Sequence, residues 1–203
     1  MKILVTGTTG GIGGAVKAAA LKRGWEVVEV NRAEWERGLD AGSARGLDAA
    51  VFATGTCEVK PLAKTTDADF AETVRVNCGL FVALMRRLVA ERLYGESGMT
   101  VVAVSSVSAA EGWAGGIAYC ASKGALSAAA RAMDAELGGR GIRVRVVEPR
   151  YVKTRMFDNC AGRMGVDPRL AQAPEELAEE ILAMVCETRA VSHHDSLETR
   201  KGK

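Results

Sequence analysis

Four groups of residues in this chain have the types and spacing to do chemistry. The first is Thr6-Gly7-Thr8-Thr9-Gly10-Gly11-Ile12-Gly13, between a short apolar run and an amphipathic one. Glycine at positions 7, 11 and 13 permits a tight turn and lets backbone approach a pyrophosphate seated on a helix N-terminus. The common G-x-G-x-x-G spacing is absent, and a glycine-rich turn can equally carry no ligand. The second is Tyr119-Cys120-Ala121-Ser122-Lys123. Four residues apart, Tyr119 and Lys123 stand one above the other on a helix face, although such pairs are common on surfaces. The third is Ser105-Ser106, at the carboxyl end of an apolar run, where open α/β sheets place their ligands. The fourth is Asn77, in an otherwise apolar helical segment. Its amide either satisfies itself locally or serves a site.

These groups need elements to hold them. Residues 2–6 read as a strand, 12–23 as a helix stopped by Gly24, and 26–30 and 48–54 as strands, the latter apolar enough to be buried on both faces. Thr66 and Asp69 have the spacing of a capping box. They open a helical segment toward Arg92 with Phe70, Val74, Phe81, Leu84 and Leu88 at helical spacing. A strand at 99–105, an alanine-rich helix at 118–137 and a strand at 142–147 follow. A last amphipathic helix starts at Pro174, and residues 191–199 are long enough for an edge strand. Alternating βαβα order predicts an α/β fold, a Rossmann-like doubly wound, mostly parallel sheet with helices on both faces. With no linker or internal repeat, 203 residues predict one domain over 1–203. The region 32–47 is too short for a full strand and helix, and 151–174 is expected to form a loop or short helices beside a substrate.

In this order and spacing, the four groups resemble the short-chain dehydrogenase/reductase family over nearly the whole chain. The family's T-G-x-x-x-G-x-G is met by Thr6, Gly7, Gly11 and Gly13, and its Y-x-x-x-K by Tyr119 and Lys123. Its strand-end serine falls on Ser106 and its helix asparagine on Asn77. Pro149-Arg150-Tyr151-Val152-Lys153-Thr154 resembles its P-G-x-V-x-T, with Arg150 in place of Gly. Its N-N-A-G appears only as Ala53-Thr54-Gly55. The resemblance implies an enzyme transferring hydride between a nicotinamide cofactor and a carbonyl or alcohol, with Asn77, Ser106, Tyr119 and Lys123 catalytic. It implies a cofactor held by Gly7, Thr8, Thr9, Gly11, Ile12, Gly13, Asn31, Arg32, Ala53, Thr54, Gly55, Asn77, Tyr119, Lys123, Pro149, Val152 and Thr154. A homodimer or homotetramer is implied as well. The alternative is a non-catalytic NAD(P)-binding sensor or scaffold on the same fold.

The chemistry of the residues agrees. A phenol of pKa about 10 is poorly matched to proton donation at neutral pH. An ammonium about 4 Å away contributes about 4 kcal/mol at an effective dielectric of about 20, so Lys123 is expected to bring Tyr119 near neutrality. Ser106 can bond a substrate carbonyl, Lys123 a nicotinamide ribose, and Asn77 a water linking Lys123 to solvent. For the choice of cofactor, an acid at the end of the second strand would select NAD. Here that strand ends in Asn31-Arg32, a neutral amide and a guanidinium suited to phosphate, with Thr8 and Thr9 as nearby hydroxyl donors. NADP is therefore expected over NAD.

Composition excludes several other classes. A net charge of +2 with no basic stripe is a poor match to nucleic acid. No C-x-x-C occurs among the five cysteines and the two histidines are adjacent, so no metal is expected. Apolar runs fall far short of the roughly 20 residues a membrane helix needs. Gly7 follows the first apolar run too soon for a signal-peptide core, and a cytoplasmic protein is expected.

Overall fold

The computed structural model describes the backbone of residues 1–31 and 40–201, and side chains as far as Thr188. Five strands, β1 (Lys2–Thr6), β2 (Glu26–Val30), β3 (Ala49–Phe52), β4 (Met99–Val104) and β5 (Ile142–Val147), form one parallel sheet in the order β2-β1-β3-β4-β5. Six α-helices are present among the described residues: α1 (Gly11–Lys22), α2 (Asp67–Val74), α3 (Leu80–Ala90), α4 (Ile117–Leu137), α5 (Arg155–Met164) and α6 (Pro174–Lys201).

Successive strand residues point to opposite faces. Leu4, Ala50, Phe52, Val101, Ala103 and Val144 belong to one core, and Ile3, Val5, Ala49, Val51, Val102 and Val104 to the other. Strands apolar on both faces need helices on both sides. On the first face these are α3 and α4, through Phe81, Leu84, Leu88, Leu126 and Ala130. On the second they are α1 and α6, through Val16, Ala20, Leu177, Ile181 and Val185. Each fully buried large side chain contributes about 1.5–3 kcal/mol.

The chain steps outward from β1 to β2, then back past β1 to β3. That reversal opens a crevice at the carboxyl ends of β1 and β3, where doubly wound sheets bind ligands.

Two stretches differ from the sequence reading, and part of a third lies outside the described residues. The capping box forms, with Asp69 N donating to Thr66 Oγ1 at 3.2 Å and Thr66 N to Asp69 Oδ2 at 3.0 Å. The helix it opens is interrupted, however, by a π-turn at Arg75–Gly79. The wider turn rotates the faces on its two sides out of phase, so Phe81, Leu84 and Leu88 are buried while Phe70 is 40% exposed. Residues 191–199 continue α6 rather than forming an edge strand. They carry only two apolar residues, Val191 and Leu197, and no two-residue alternation. Between β2 and β3, residues 40–47 hold turns and one bridge from Leu47 to Tyr94, with no strand or helix. Arg32 and residues 33–39 lie outside the described residues.

No helix among the described residues is long and apolar enough to cross a membrane.

Candidate active site

At the crevice the end of β1 is laced to the end of β3. The fully buried Thr6 accepts at Oγ1 from Ala53 N (3.1 Å), Thr54 N (3.2 Å) and Thr54 Oγ1 (2.9 Å). Gly7 then turns with φ +69°, a left-handed conformation that favours glycine. A Cβ on Gly13 would lie 2.3 Å from the Gly7 carbonyl oxygen, and one on Gly11 would lie 2.4 Å from Thr154 Cγ2. Bare backbone is required at these points. Helix α1 starts at Gly10 with no side-chain cap and no acid in its first turn. Its leading N–H groups therefore have neither an intrahelical partner nor a side-chain acceptor from the cap.

The cradle has a second wall. Thr154 caps α5, accepting from Phe157 N at 3.2 Å, and Val152 is buried and bridged to Gln172. The Pro149 carbonyl accepts from Val107 N at 3.2 Å, fastening the end of β5 to the residue after Ser106. Arg150 turns its guanidinium to Glu111 in a two-pronged pair at 2.7 and 3.1 Å.

The third strand end, β4, carries the serines. Ser105 points inward, to the Lys123 carbonyl at 3.2 Å and Ser127 Oγ at 2.8 Å, and Ser127 Oγ also reaches Glu148 Oε1 at 2.7 Å. Ser106 accepts at Oγ from Ser108 N at 3.1 Å, which leaves its own hydrogen to donate. It lies close enough to the Tyr119 phenol to act against the effect of burial on that group. Tyr119 and Lys123 lie one turn apart on α4, with Lys123 Nζ 5.7 Å from the centroid of the Tyr119 ring. Lys123 Nζ donates to the Val104 carbonyl at 2.9 Å.

Asn77 sits in the π-turn, fully buried. Its Oδ1 accepts from Thr56 N at 2.7 Å, and its Nδ2 donates to Thr56 O at 2.9 Å and Ser122 Oγ at 2.8 Å. Ser122 in turn donates to the Tyr119 carbonyl at 2.7 Å. Both amide hydrogens are therefore committed to protein. The side chain anchors the turn against α4 and has no hydrogen left for the expected water. Gly55 lies against both groups: a Cβ there would stand in ordinary contact with Asn77 Oδ1 at 3.4 Å and Lys123 Nζ at 3.6 Å.

The electrostatics reverse one expectation. Burial pushes the Tyr119 phenol well above its ordinary value, with Ser106 opposing it only in part. Lys123 is 5% exposed, and burial lowers its ammonium from 10.5 to about 8. The phenol is thus not near neutrality, because desolvation of the charged form dominates and Ser106 offsets only part of it. Tyr119 rests protonated, and Lys123 is the group of the pair that titrates closest to neutral pH.

Ser106, Tyr119, Lys123 and Asn77 are thus brought together, and Gly7, Gly11, Gly13, Gly55, Pro149, Val152 and Thr154 surround them or the adjoining cradle. Thr8 differs from its expected part as a donor toward a phosphate. Its hydroxyl is committed to Glu29 Oε2 at 2.6 Å, while Lys17 Nζ stands 2.5 Å from Glu29 Oε1. Lys17, then Thr8, hold the Glu29 carboxyl below its ordinary range. Thr9 is exposed and Asn31 half-buried at the end of β2, and Arg32 lies outside the described residues. Sequence reasoning missed Glu29 and Ser122. Glu29 carried a signal, as an acid one residue before the end of a strand that leads to the crevice.

Residues 41–183 match the family described as Enoyl-(Acyl carrier protein) reductase. The D-threitol dehydrogenase of Mycolicibacterium smegmatis is 26% identical over 228 residues, covering 90% of this chain and 87% of that protein. Among solved structures, 4-hydroxyisoleucine dehydrogenase complexed with NADH has the same fold, with a TM-score of 0.75 and 19% identity over 91% of this chain and 90% of that one. An actinorhodin polyketide ketoreductase with NADPH has a TM-score of 0.76 and 20% identity over 93% of this chain and 92% of that one. The family match spans well over half of the chain and falls on the strands and helices that carry Asn77, Ser106, Tyr119 and Lys123. The chain therefore belongs to the short-chain dehydrogenase/reductase family of NAD(P)-dependent oxidoreductases.

Proposed function

We propose that this oxidoreductase interconverts a small ketone and its secondary alcohol, with Tyr119 as general acid and base and NADP(H) as the preferred cofactor. The observation that carries the reading is the grouping of Ser106, Tyr119 and Lys123, with Lys123 Nζ 5.7 Å from the Tyr119 ring centroid, beside a glycine cradle that no side chain could occupy. The uncapped start of α1 fits a pyrophosphate, to be held by Gly11, Ile12 and Gly13. Asn31 would face the adenine ribose. Ala53, Thr54 and Gly55 would run along the cofactor, and Pro149, Val152, Thr154 and Lys123 would hold its nicotinamide end. When bound, the nicotinamide supplies the hydride.

The residues supply the rest. The Ser106 hydroxyl donates to the substrate carbonyl oxygen and orients it. The Tyr119 hydroxyl gives that oxygen its proton as negative charge develops there. The Lys123 ammonium stabilises the phenolate left behind. Asn77 and Ser122 keep the turn of α4 beneath Tyr119 in place. In alcohol oxidation the same proton returns to Tyr119. A panel of aldehydes and ketones with purified protein and NADPH tests the reading, with cofactor oxidation on at least one ketone expected. Tight NADPH binding without turnover on any member would make the protein a sensor or scaffold instead.

The preference for NADP(H) rests on Arg32, since Thr8 is held by Glu29. One charge-assisted pair is worth about 1.5–3 kcal/mol, so NADPH is expected to bind roughly tenfold to a hundredfold tighter than NADH. The ratio of the two dissociation constants, repeated on Arg32→Ala, measures it. Equal affinities in the wild type, or a ratio indifferent to the mutation, would refute the assignment.

A homo-oligomer is proposed as well. Leu84 and Leu88 are consumed by the core, but Phe70 and Val82 remain 40% and 41% exposed on α2 and α3. Two-fold pairing of a surface with its own copy is the commonest way to cover such residues. Light scattering at micromolar protein should give twice or four times the monomer mass, and a monomer mass would remove the proposal.

A further inference from the structure

Cys57, in the segment after β3, and Cys160, on α5, meet beside the candidate active site from positions 103 residues apart. The Cys160 thiol donates to the Cys57 carbonyl at 3.7 Å, and its nearness raises the Cys57 thiol further above its ordinary value. Cys57 also stands within electrostatic reach of Lys123 and Tyr119. Cys160 is 5% exposed while Cys57 is only half-buried, so a reagent entering the site reaches Cys57 first. The third thiol nearby, Cys120, is engaged with the Glu111 carbonyl at 3.6 Å. Neither Cys57 nor Cys160 has a part in the proton or hydride transfer. Burial and the neighbouring thiols hold Cys57 protonated, so the pair rests as a dithiol and oxidises only under sustained oxidant.

We propose that Cys57 and Cys160 form a redox modification site, closing to a disulfide that ties α5 to the end of β3 and arrests turnover. With hydrogen peroxide as oxidant, the Cys57 sulfur attacks one oxygen and the O–O bond breaks. A sulfenic acid forms and one water leaves. The Cys160 sulfur then attacks the Cys57 sulfur, the S–O bond breaks and the S–S bond forms. The departing hydroxyl takes the Cys160 proton as a second water. Two electrons pass from the thiols to the peroxide.

The test treats the whole protein with hydrogen peroxide and maps its peptides without reduction. A Cys57–Cys160 cross-link is expected, with carbonyl turnover reduced at least tenfold and restored by dithiothreitol. Cys160→Ser should give no cross-link, and Cys57→Ser should lose the dithiothreitol-reversible inactivation. Failure to find that cross-link, a pairing of Cys57 with Cys120, or full turnover in cross-linked protein would overturn the proposal. So would reversible inactivation of Cys57→Ser at the wild-type rate. The turnover readout rests on the proposed carbonyl reduction; the cross-link map does not, so the two can fail separately.

Discussion

Tyr119→Phe is expected to lower turnover by about 10²–10⁴-fold, the usual contribution of a positioned general acid, which is about 3–5 kcal/mol of barrier. The substitution removes one oxygen and leaves the ring. The contact with Trp113, at 6.4 Å between ring centroids, and the position of Lys123 over the ring should survive. Cofactor affinity should therefore change little, so the loss falls on kcat. The phenol starts protonated because burial raises it, which is the form a reduction needs. Steady-state kinetics beside a fluorescence titration of NADPH separates the two effects. Activity within tenfold of wild type would show that Tyr119 is not the acid.

Lys123→Ala is expected to be at least as damaging, and to weaken cofactor binding too. It removes the charge that stabilises the phenolate and the amine proposed to hold the cofactor. It also strands the Val104 carbonyl, which Lys123 now satisfies, at a cost of about 1–3 kcal/mol. The pH dependence identifies the cause. Because Lys123 loses its proton near pH 8, kcat/KM for carbonyl reduction should fall as pH rises through about 8, and the variant should lose that limb. Stability carries the same signature with the opposite sign. Between about 8 and 10.5 the unfolded chain binds a proton at this lysine that the folded one does not, so stability rises with pH in that window. Below it both states are protonated and the contribution is constant. Lys123→Met, which fills the space without a charge, should flatten the rise relative to wild type. An unchanged pH–rate profile in Lys123→Ala would remove the electrostatic account.

Much of this arrangement was legible from local pattern. Tyr119 and Lys123 are fixed to one helix face by their spacing, and the Gly7 turn by backbone sterics. The buried strands were visible as apolar runs. What was not legible depends on contacts between distant segments. The bonds of Asn77 to Thr56 and Ser122 cross 21 and 45 residues, and the π-turn that carries Asn77 left no mark in the hydrophobic spacing. The direction of the Tyr119 shift depends on how much protein surrounds the phenol, which charge spacing along a helix does not report. Glu29 was readable as strand, but its hold on Thr8 appears only when β2 is placed beside the glycine turn. Residues 191–199 are long enough for an edge strand, but length does not set the element: without two-residue alternation they continue α6.

The measurement that bears most directly on the reaction uses NADPH carrying deuterium at the transferred position, with a ketone that the wild-type protein consumes. Mass spectrometry of the product should find an alcohol with a single deuterium on the former carbonyl carbon, formed by wild type and nearly absent with Tyr119→Phe. An unlabelled alcohol, or labelled product from Tyr119→Phe at the wild-type rate, would contradict hydride transfer at the Ser106–Tyr119–Lys123 site.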